Sequence, residues 1–145
     1  MPTEAAKVPS FQRPERVWIN GELCVVDDKK FYLYGSIEID IHDHADSFMW
    51  GAWAEVDENF FFQYQSAFSD VKRTKIDPQN ARLGTDIPFY PVTLDLPISV
   101  HIQPIGVRPL FLLAKGEHPL VMDQQQGVSV ARIEAIKKWF ASLSA

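Results

Sequence analysis

Two histidines and three aspartates lie within seven residues of each other: Asp40, His42, Asp43, His44 and Asp46. Imidazole and carboxylate groups are ligands for divalent transition metals. The spacing therefore allows a small metal-dependent hydrolase built on His42 and His44, with Asp46 as a third ligand. The same residue types are ordinary in solvated turns, and a short turn rarely fixes a metal without ligands from other segments. We favour the solvated turn, and so predict no metal and no cofactor.

The two remaining histidines, His101 and His118, would need a neighbouring carboxylate to act as general bases. No nucleophile is recognisable beside them, because the chain has no Gly-x-Ser-x-Gly segment. The single cysteine, Cys24, lies between apolar residues and is predicted to be buried. We therefore expect both histidines to be structural and assign no catalytic residue.

Aromatic and charged residues off the main apolar faces suggest a protein-binding surface instead. We predict that a partner would contact Tyr32, Tyr34, Glu38, Trp53, Phe62 and Arg108. Tyrosine, tryptophan and arginine are enriched at protein interfaces. Two alternatives remain: the helices cover this face and the rings belong to the core, or Arg108 joins a strand end to Glu38 or Asp40.

The elements that position these residues follow from periodicity. Residues 31–41 alternate apolar and polar side chains, as in a strand with one buried face, and residues 48–56 repeat the pattern after a short turn. Further strands are predicted around Asn20-Gly21, at 98–102 and at 110–113, and helices at about 58–69 and 130–143. A short extended segment is predicted at 118–123, because Pro119 biases the backbone of His118 toward extended geometry. Strands interrupted by helices in this order indicate an α+β fold, a mostly antiparallel β-sheet with the two helices packed on it.

Length and charge restrict the class of protein. The chain has 145 residues, a net charge of −5 and no basic run longer than a pair. We expect a flexible N-terminal arm at 1–15, where Pro2, Pro9 and Pro14 stand among polar residues, and a single domain at 16–145. Neither nucleic-acid nor membrane binding is expected, because basic patches and long apolar segments are missing from the sequence. The cytoplasm is the expected location.

Several short segments stand in a recognisable order along the chain: Leu23-Cys24-Val25-Val26-Asp27, Phe31 to Ile39 with Gly35 and Glu38, Trp50-Gly51-Ala52-Trp53, Asn59-Phe60, His101-Ile102-Gln103-Pro104, Gly106-Val107-Arg108-Pro109, His118-Pro119-Leu120 and Gly127-Val128-Ser129. Over about residues 19–137 this order resembles the bacterial family called domain of unknown function 2199. The resemblance implies no activity. Many members begin with a cysteine pair that resembles a small zinc-binding segment, which this chain replaces with Pro9-Ser10-Phe11 and other non-ligands.

The sequence thus favours a cytoplasmic protein-interaction module over an enzyme. A small acidic protein of this kind suits an immunity or antitoxin-like inhibitor, whose partner would be a basic toxin. The alternatives are the hydrolase that uses His42 and His44, and a homo-oligomer such as a dimer that associates through the same aromatic face.

Overall fold

The computed structural model describes residues 1–143 and has an α+β fold. Within those residues, one mixed sheet contains seven strands: β1 (Val17–Ile19), β2 (Leu23–Val26), β3 (Lys30–Asp40), β4 (Ser47–Val56), β5 (Gln79–Leu83), β6 (Pro97–His101) and β7 (Leu110–Leu113). Each strand pairs with the next one along the chain in antiparallel fashion. The short connections from β1 to β2, from β2 to β3 and from β3 to β4 favour this arrangement, whereas the connection from β4 to β5 contains a helix.

Strands β3 and β4 are the longest pair and carry the alternation predicted from the sequence. Their register runs from Phe31 opposite Val56 to Asp40 opposite Ser47. The inner face of β3 contributes Leu33, Ile37 and Ile39 to the core, where all three are fully buried. Period-two alternation therefore decides which side chains of this pair face the core and which face outward.

One parallel pairing closes the sheet. Leu110 at the start of β7 lies opposite Ser36 of β3, whose N–H donates to the Pro109 carbonyl at 2.9 Å. A Cβ at Gly35 would lie 2.6 Å from that same carbonyl oxygen, so only glycine permits the approach. The predicted antiparallel sheet is correct except at this junction, where β3 pairs with β2 and then with β7 along one edge.

Both predicted helices form, and the described residues contain three more. These helices are α1 (Thr3–Lys7), α2 (Arg13–Arg16), α3 (Glu58–Ser66), α4 (Pro119–Gln126) and α5 (Val130–Leu143). Helix α3 begins where predicted, because the Asp57 side chain accepts the Phe60 N–H at 2.7 Å, and it ends three residues before the predicted 69. Helix α5 matches the predicted 130–143. None of the helices within residues 1–143 is both long and apolar enough to cross a membrane.

Helix α4 replaces what the sequence suggested was a short extended segment at 118–123. His118 has an extended backbone, and its Nδ1 accepts the Leu120 N–H at 3.1 Å. Pro119 occupies the first helical position, where a missing N–H costs nothing. The His-Pro pair that indicated extended geometry is therefore the start of a helix.

The N-terminal residues are also placed differently from the predicted loose arm. Pro2, Ala5 and Val8 are buried, and Ala5 and Val8 pack with residues of β2, β3 and β4. The Thr3 N–H donates to the Gly84 carbonyl at 2.9 Å, which ties α1 to the end of β5. Apolar residues at every third position thus give this proline-rich segment a face that packs on the sheet.

Candidate functional site

The outer face of the β3–β4 pair holds four of the six residues predicted to contact a partner. We use "outer face" for the side of these strands that carries Tyr32, Tyr34, Glu38 and Trp53. Tyr34 lies directly opposite Trp53, and Glu38 lies opposite Met49. The alternation that buries the inner face therefore lines these side chains up along the outer one.

The N-terminal segment covers one end of the outer face. Tyr32 is 1% exposed and Trp53 is also buried, both against Ala5 and Val8. Burial raises the pKa of Tyr32, and the charge of Glu55, whose carboxylate accepts its hydroxyl at 3.3 Å, adds to the effect. Of the predicted contact residues, Tyr32 and Trp53 thus lie in a core and cannot be touched while the segment is in place.

Tyr34 marks the point where the outer face becomes accessible. Its ring packs edge-on against Trp53, with 5.1 Å between ring centroids, and the Arg108 guanidinium lies 4.7 Å from the ring centroid. The Tyr34 hydroxyl lies over Gly51, where a Cβ would collide with it. A glycine on β4 therefore lets this ring lie flat across the strands and carry Arg108.

Arg108 is held by its stacking on Tyr34 and by Glu22, whose Oε1 lies 3.7 Å from the Arg108 Nε. The sequence offered Glu38 or Asp40 as its partner, and the structure provides Glu22 instead. A guanidinium stacked on an aromatic ring keeps its donors available while losing much of its rotational freedom. The stack therefore presents a pre-positioned positive group at the surface.

The loop that supplies Arg108 is fixed by a second, buried arginine. Arg73 is 2% exposed and donates to four carbonyl oxygens, those of Phe68, Gln103, Pro104 and Val107, at 2.7–2.9 Å. Its guanidinium also lies over the rings of Tyr64 and Phe68. Three of the four carbonyls belong to the loop between β6 and β7, so Arg73 determines the path of the loop that ends at Arg108.

A shallow groove of about 220 Å³ runs between this loop and the outer face. We call it the Arg108 groove; its lining includes Ser36, Glu38, Met49, Gln103, Val107, Arg108 and Leu110. Met49 is 57% exposed and Val107 is 50% exposed. Glu38 and Arg108 therefore lie in one groove with two exposed apolar side chains that were not among the predicted contact residues, and Tyr34 adjoins the groove through its contact with Arg108.

Phe62 lies elsewhere. It projects from α3, is 46% exposed and packs against Phe31 and Phe61 on the opposite side of the sheet. Phe31 belongs to the inner face of β3, so Phe62 cannot contact the same flat surface as Tyr34. The six predicted residues therefore divide among the neighbourhood of the Arg108 groove, the covered part of the outer face and the opposite side of the sheet.

The two histidines of the cluster at 40–46 contact different partners in the structure. The His42 Nε2 lies 2.8 Å from the Gln126 carbonyl, and the His42 N–H donates to the Val128 carbonyl, so His42 joins the end of β3 to the end of α4. The His44 Nδ1 accepts the Asp46 N–H at 3.3 Å within the turn. Among residues 1–143, no three histidine, cysteine or acidic side chains come close enough to hold a metal.

The other groups considered for chemistry are engaged in structural contacts. The His101 Nε2 lies 2.8 Å from the Ser99 Oγ, and the His118 Nε2 lies 3.0 Å from the carbonyls of Pro91 and Val92. Burial raises the pKa of the Cys24 thiol to about 11, which keeps it in the unreactive protonated form at neutral pH. These contacts agree with the structural roles predicted for the histidines and for Cys24.

Two structural centres were not found by sequence reasoning. Arg73 lies in a polar segment that looks irregular, and its partners in the β6–β7 loop are 30 or more residues away. The second centre is Asp123, which accepts the Tyr90 hydroxyl at 2.7 Å and pairs with Arg132 at 2.8 Å. Neither centre has a spacing signal in the sequence, because each joins segments that only the fold brings together.

The fold of residues 1–143 is that of a small α+β protein with one seven-stranded sheet. The chain belongs to the family described as "Uncharacterized protein conserved in bacteria (DUF2199)", whose profile matches residues 1–128. Searches of curated proteins and of solved structures find no significant match. Helix α5, at Val130–Leu143, lies beyond the matched residues.

Proposed function

We propose that this protein is a cytoplasmic protein-binding module that engages its partner through the Arg108 groove. The observation that carries the proposal is the fixed Tyr34–Arg108 stack, which stands beside the exposed side chains of Met49 and Val107. Tyrosine, arginine and methionine are enriched where proteins bind each other. A partner would meet all of them on one surface.

Rigidity supports binding at this surface. Arg73 fixes the loop through four hydrogen bonds, and Tyr34 holds the Arg108 guanidinium from one side. Side chains that are already ordered lose less conformational entropy on association than free ones. Interface residues of this kind tend to contribute more binding free energy than the contacts around them.

The charges around the groove favour a basic partner. Glu22 already offsets the charge of Arg108, while Glu38 and Asp40 on the outer side of β3 are exposed carboxylates. The whole chain carries a net charge of −5. Acidic surfaces steer basic proteins into contact and raise the association rate. We therefore propose an inhibitor of the immunity or antitoxin type, acting on a basic toxin.

Calorimetric titration against basic proteins encoded by neighbouring genes tests this proposal. We expect one of them to bind the wild type, and Arg108→Ala to weaken binding by roughly 30-fold, because it removes the stacked side chain from the centre of the interface. Lys115→Ala removes the same charge from the loop after β7 and serves as the control. Binding that is equally strong for both variants would place the partner elsewhere.

Light scattering separates this proposal from self-association. A homodimer through the same surface would be converted into monomers by Tyr34→Glu, whereas a monomeric binding module has the same mass with and without that substitution. A concentration-dependent dimer that Tyr34→Glu dissociates would show that the groove is occupied by a second copy.

A further inference from the structure

A second concave surface lies between the β1–β2 hairpin and helix α3, on the opposite side of the sheet from the Arg108 groove. This aromatic cleft has a volume of about 420 Å³ and is lined by Trp18, Val25, Asp28, Phe31, Glu58, Phe61, Phe62 and Gln65. Sites for small molecules commonly have volumes of about 300–1,000 Å³. The cleft is therefore large enough for a ligand of a few tens of atoms at most.

Aromatic rings form the floor and two walls of the cleft. Phe31 and Phe61 are buried at its base, 5.2 Å apart between centroids. Phe62 packs on both of them, at 5.8 and 5.3 Å, yet remains 46% exposed. Trp18 on β1 is 50% exposed. Exposed aromatic faces carry partial negative charge and attract cations.

The charged side chains that line the cleft are both acidic. Asp28 lies in the turn between β2 and β3, with a φ of 54° that fixes its position, and Glu58 is the first residue of α3. Neither forms an ion pair within residues 1–143 at ordinary distances. Two carboxylates beside aromatic rings favour a positively charged ligand.

The basic groups nearby do not neutralise these carboxylates. The Arg16 guanidinium is bound by Asp27 at 2.7 Å, and the Lys30 ammonium lies 3.6 Å from Glu4. Lys29 is exposed next to Asp28 but does not line the cleft. The positive end of helix α3 is capped by Asp57, which accepts the Phe60 N–H. The negative charge of the cleft is therefore available to a ligand.

We propose that the aromatic cleft binds a small organic cation with an apolar body, of the arylalkylammonium class. The apolar body would replace water on the ring surfaces between Trp18 and Phe62, and the ammonium group would lie beside Asp28 and Glu58. Aromatic cages recognise quaternary ammonium groups in this way. The inference is independent of the proposed function, because the cleft and the Arg108 groove lie on opposite sides of the sheet.

Titration of the full chain with benzyltrimethylammonium, followed by two-dimensional NMR, tests this inference. Phenylacetate is the matched anionic probe with a similar ring. We expect the cation to shift the Trp18 indole and Asp28 amide signals and to bind at least tenfold more tightly than phenylacetate. Raising the salt concentration from 0.05 to 0.5 M should weaken the binding of benzyltrimethylammonium but not that of phenylacetate, because salt screens the attraction of a cation to carboxylates.

Substitutions locate the binding. Trp18→Ala and Phe62→Ala should each lower the affinity for the cation by roughly 3–30-fold, the range expected for loss of one cation–ring contact. Asp28→Asn keeps a residue that tolerates positive φ and should weaken it several-fold. Glu117→Gln, an exposed carboxylate in the loop after β7 that lines neither the aromatic cleft nor the Arg108 groove, is the control and should leave the affinity unchanged. Far-ultraviolet circular dichroism of each variant verifies that it is folded.

Three results would overturn the inference. The first is equal affinity for benzyltrimethylammonium and phenylacetate. The second is a set of shifted signals that lies away from Trp18 and Asp28. The third is cation affinity that persists in folded Trp18→Ala and Phe62→Ala proteins. Each would show that the rings and carboxylates of the aromatic cleft do not act together on a cation.

Discussion

Replacing the buried Arg73 should cost more stability than any other single arginine substitution considered for this protein. Its side chain is 2% exposed and donates four hydrogen bonds to backbone carbonyls at 2.7–2.9 Å. Arg73→Met keeps an apolar chain in the same space but removes every donor. The carbonyls of Phe68, Gln103, Pro104 and Val107 then lose their partner together.

The loss of stability depends on whether water can replace the guanidinium at each of those carbonyls. A hydrogen bond to a charged group contributes about 1.5–3 kcal/mol. Phe68, Pro104 and Val107 are exposed residues, so water can replace the guanidinium at their carbonyls, and the loss is concentrated at the Gln103 carbonyl and at the ring contacts with Tyr64 and Phe68. Each ring contact adds about 0.5–1 kcal/mol. We expect Arg73→Met to lower the free energy of unfolding by about 3–5 kcal/mol. For a domain of this length that corresponds to a fall in Tm of roughly 10–15 °C.

Urea denaturation followed by tryptophan fluorescence measures this difference. Arg73→Lys retains the charge but offers its donors from one point, so it should recover only part of the loss. The control is Arg108→Met, which changes an exposed arginine and should cost about 1 kcal/mol or less. If Arg73→Met and Arg108→Met destabilise the protein equally, Arg73 does not hold the β6–β7 loop.

Three further perturbations test other parts of the structure. Val8→Asp places a carboxylate between the N-terminal segment and the outer face, and should lower the free energy of unfolding by at least about 2 kcal/mol. It should also expose Trp53, which is visible as a red shift of the fluorescence. An unchanged spectrum would mean that the segment does not cover this ring. Because burial raises the pKa of Cys24 to about 11, the thiol of the folded protein should resist alkylation at pH 8 and should react once urea unfolds the chain. Rapid alkylation of Cys24 in the folded protein would contradict its burial. Burial and then the hydrogen bond to Asp123 raise the pKa of Tyr90, so the folded state favours its protonated form, and the resulting stability is present below pH 10 and is lost as the pH rises further. Tyr90→Phe should flatten this decline in the free energy of unfolding. An identical pH profile for the variant would show that Tyr90 does not cause the decline.

The central strands could be predicted because their physics is local. Alternation along 31–41 and 48–56 depends only on which residues share a face, and β3 and β4 follow it. Helix α3 was predictable for the same reason, since Asp57 caps its first turn through a contact three residues away. Helix α4 was not, because Pro119 is compatible with both an extended segment and the first turn of a helix.

The candidate site was predictable only in part. Tyr34 and Glu38 share the outer face of β3, so their proximity follows from alternation. Arg108 joins them because β7 pairs with β3 next to Ser36, a closure that the sequence does not signal. The covering of Trp53 depends on Ala5 and Val8, whose spacing gives the N-terminal segment an apolar face but does not specify the distant strands on which that face packs.

Site-specific photo-crosslinking in bacterial cells tests the proposed binding surface most directly. A photoreactive residue replaces Val107 at the rim of the Arg108 groove or, as a control, Lys115 on the loop after β7. We predict a covalent adduct with one basic protein from position 107, no such adduct from position 115, and loss of the adduct when Arg108→Ala is added. An adduct of the same protein from both positions, or one that persists with Arg108→Ala, would contradict binding through the Arg108 groove.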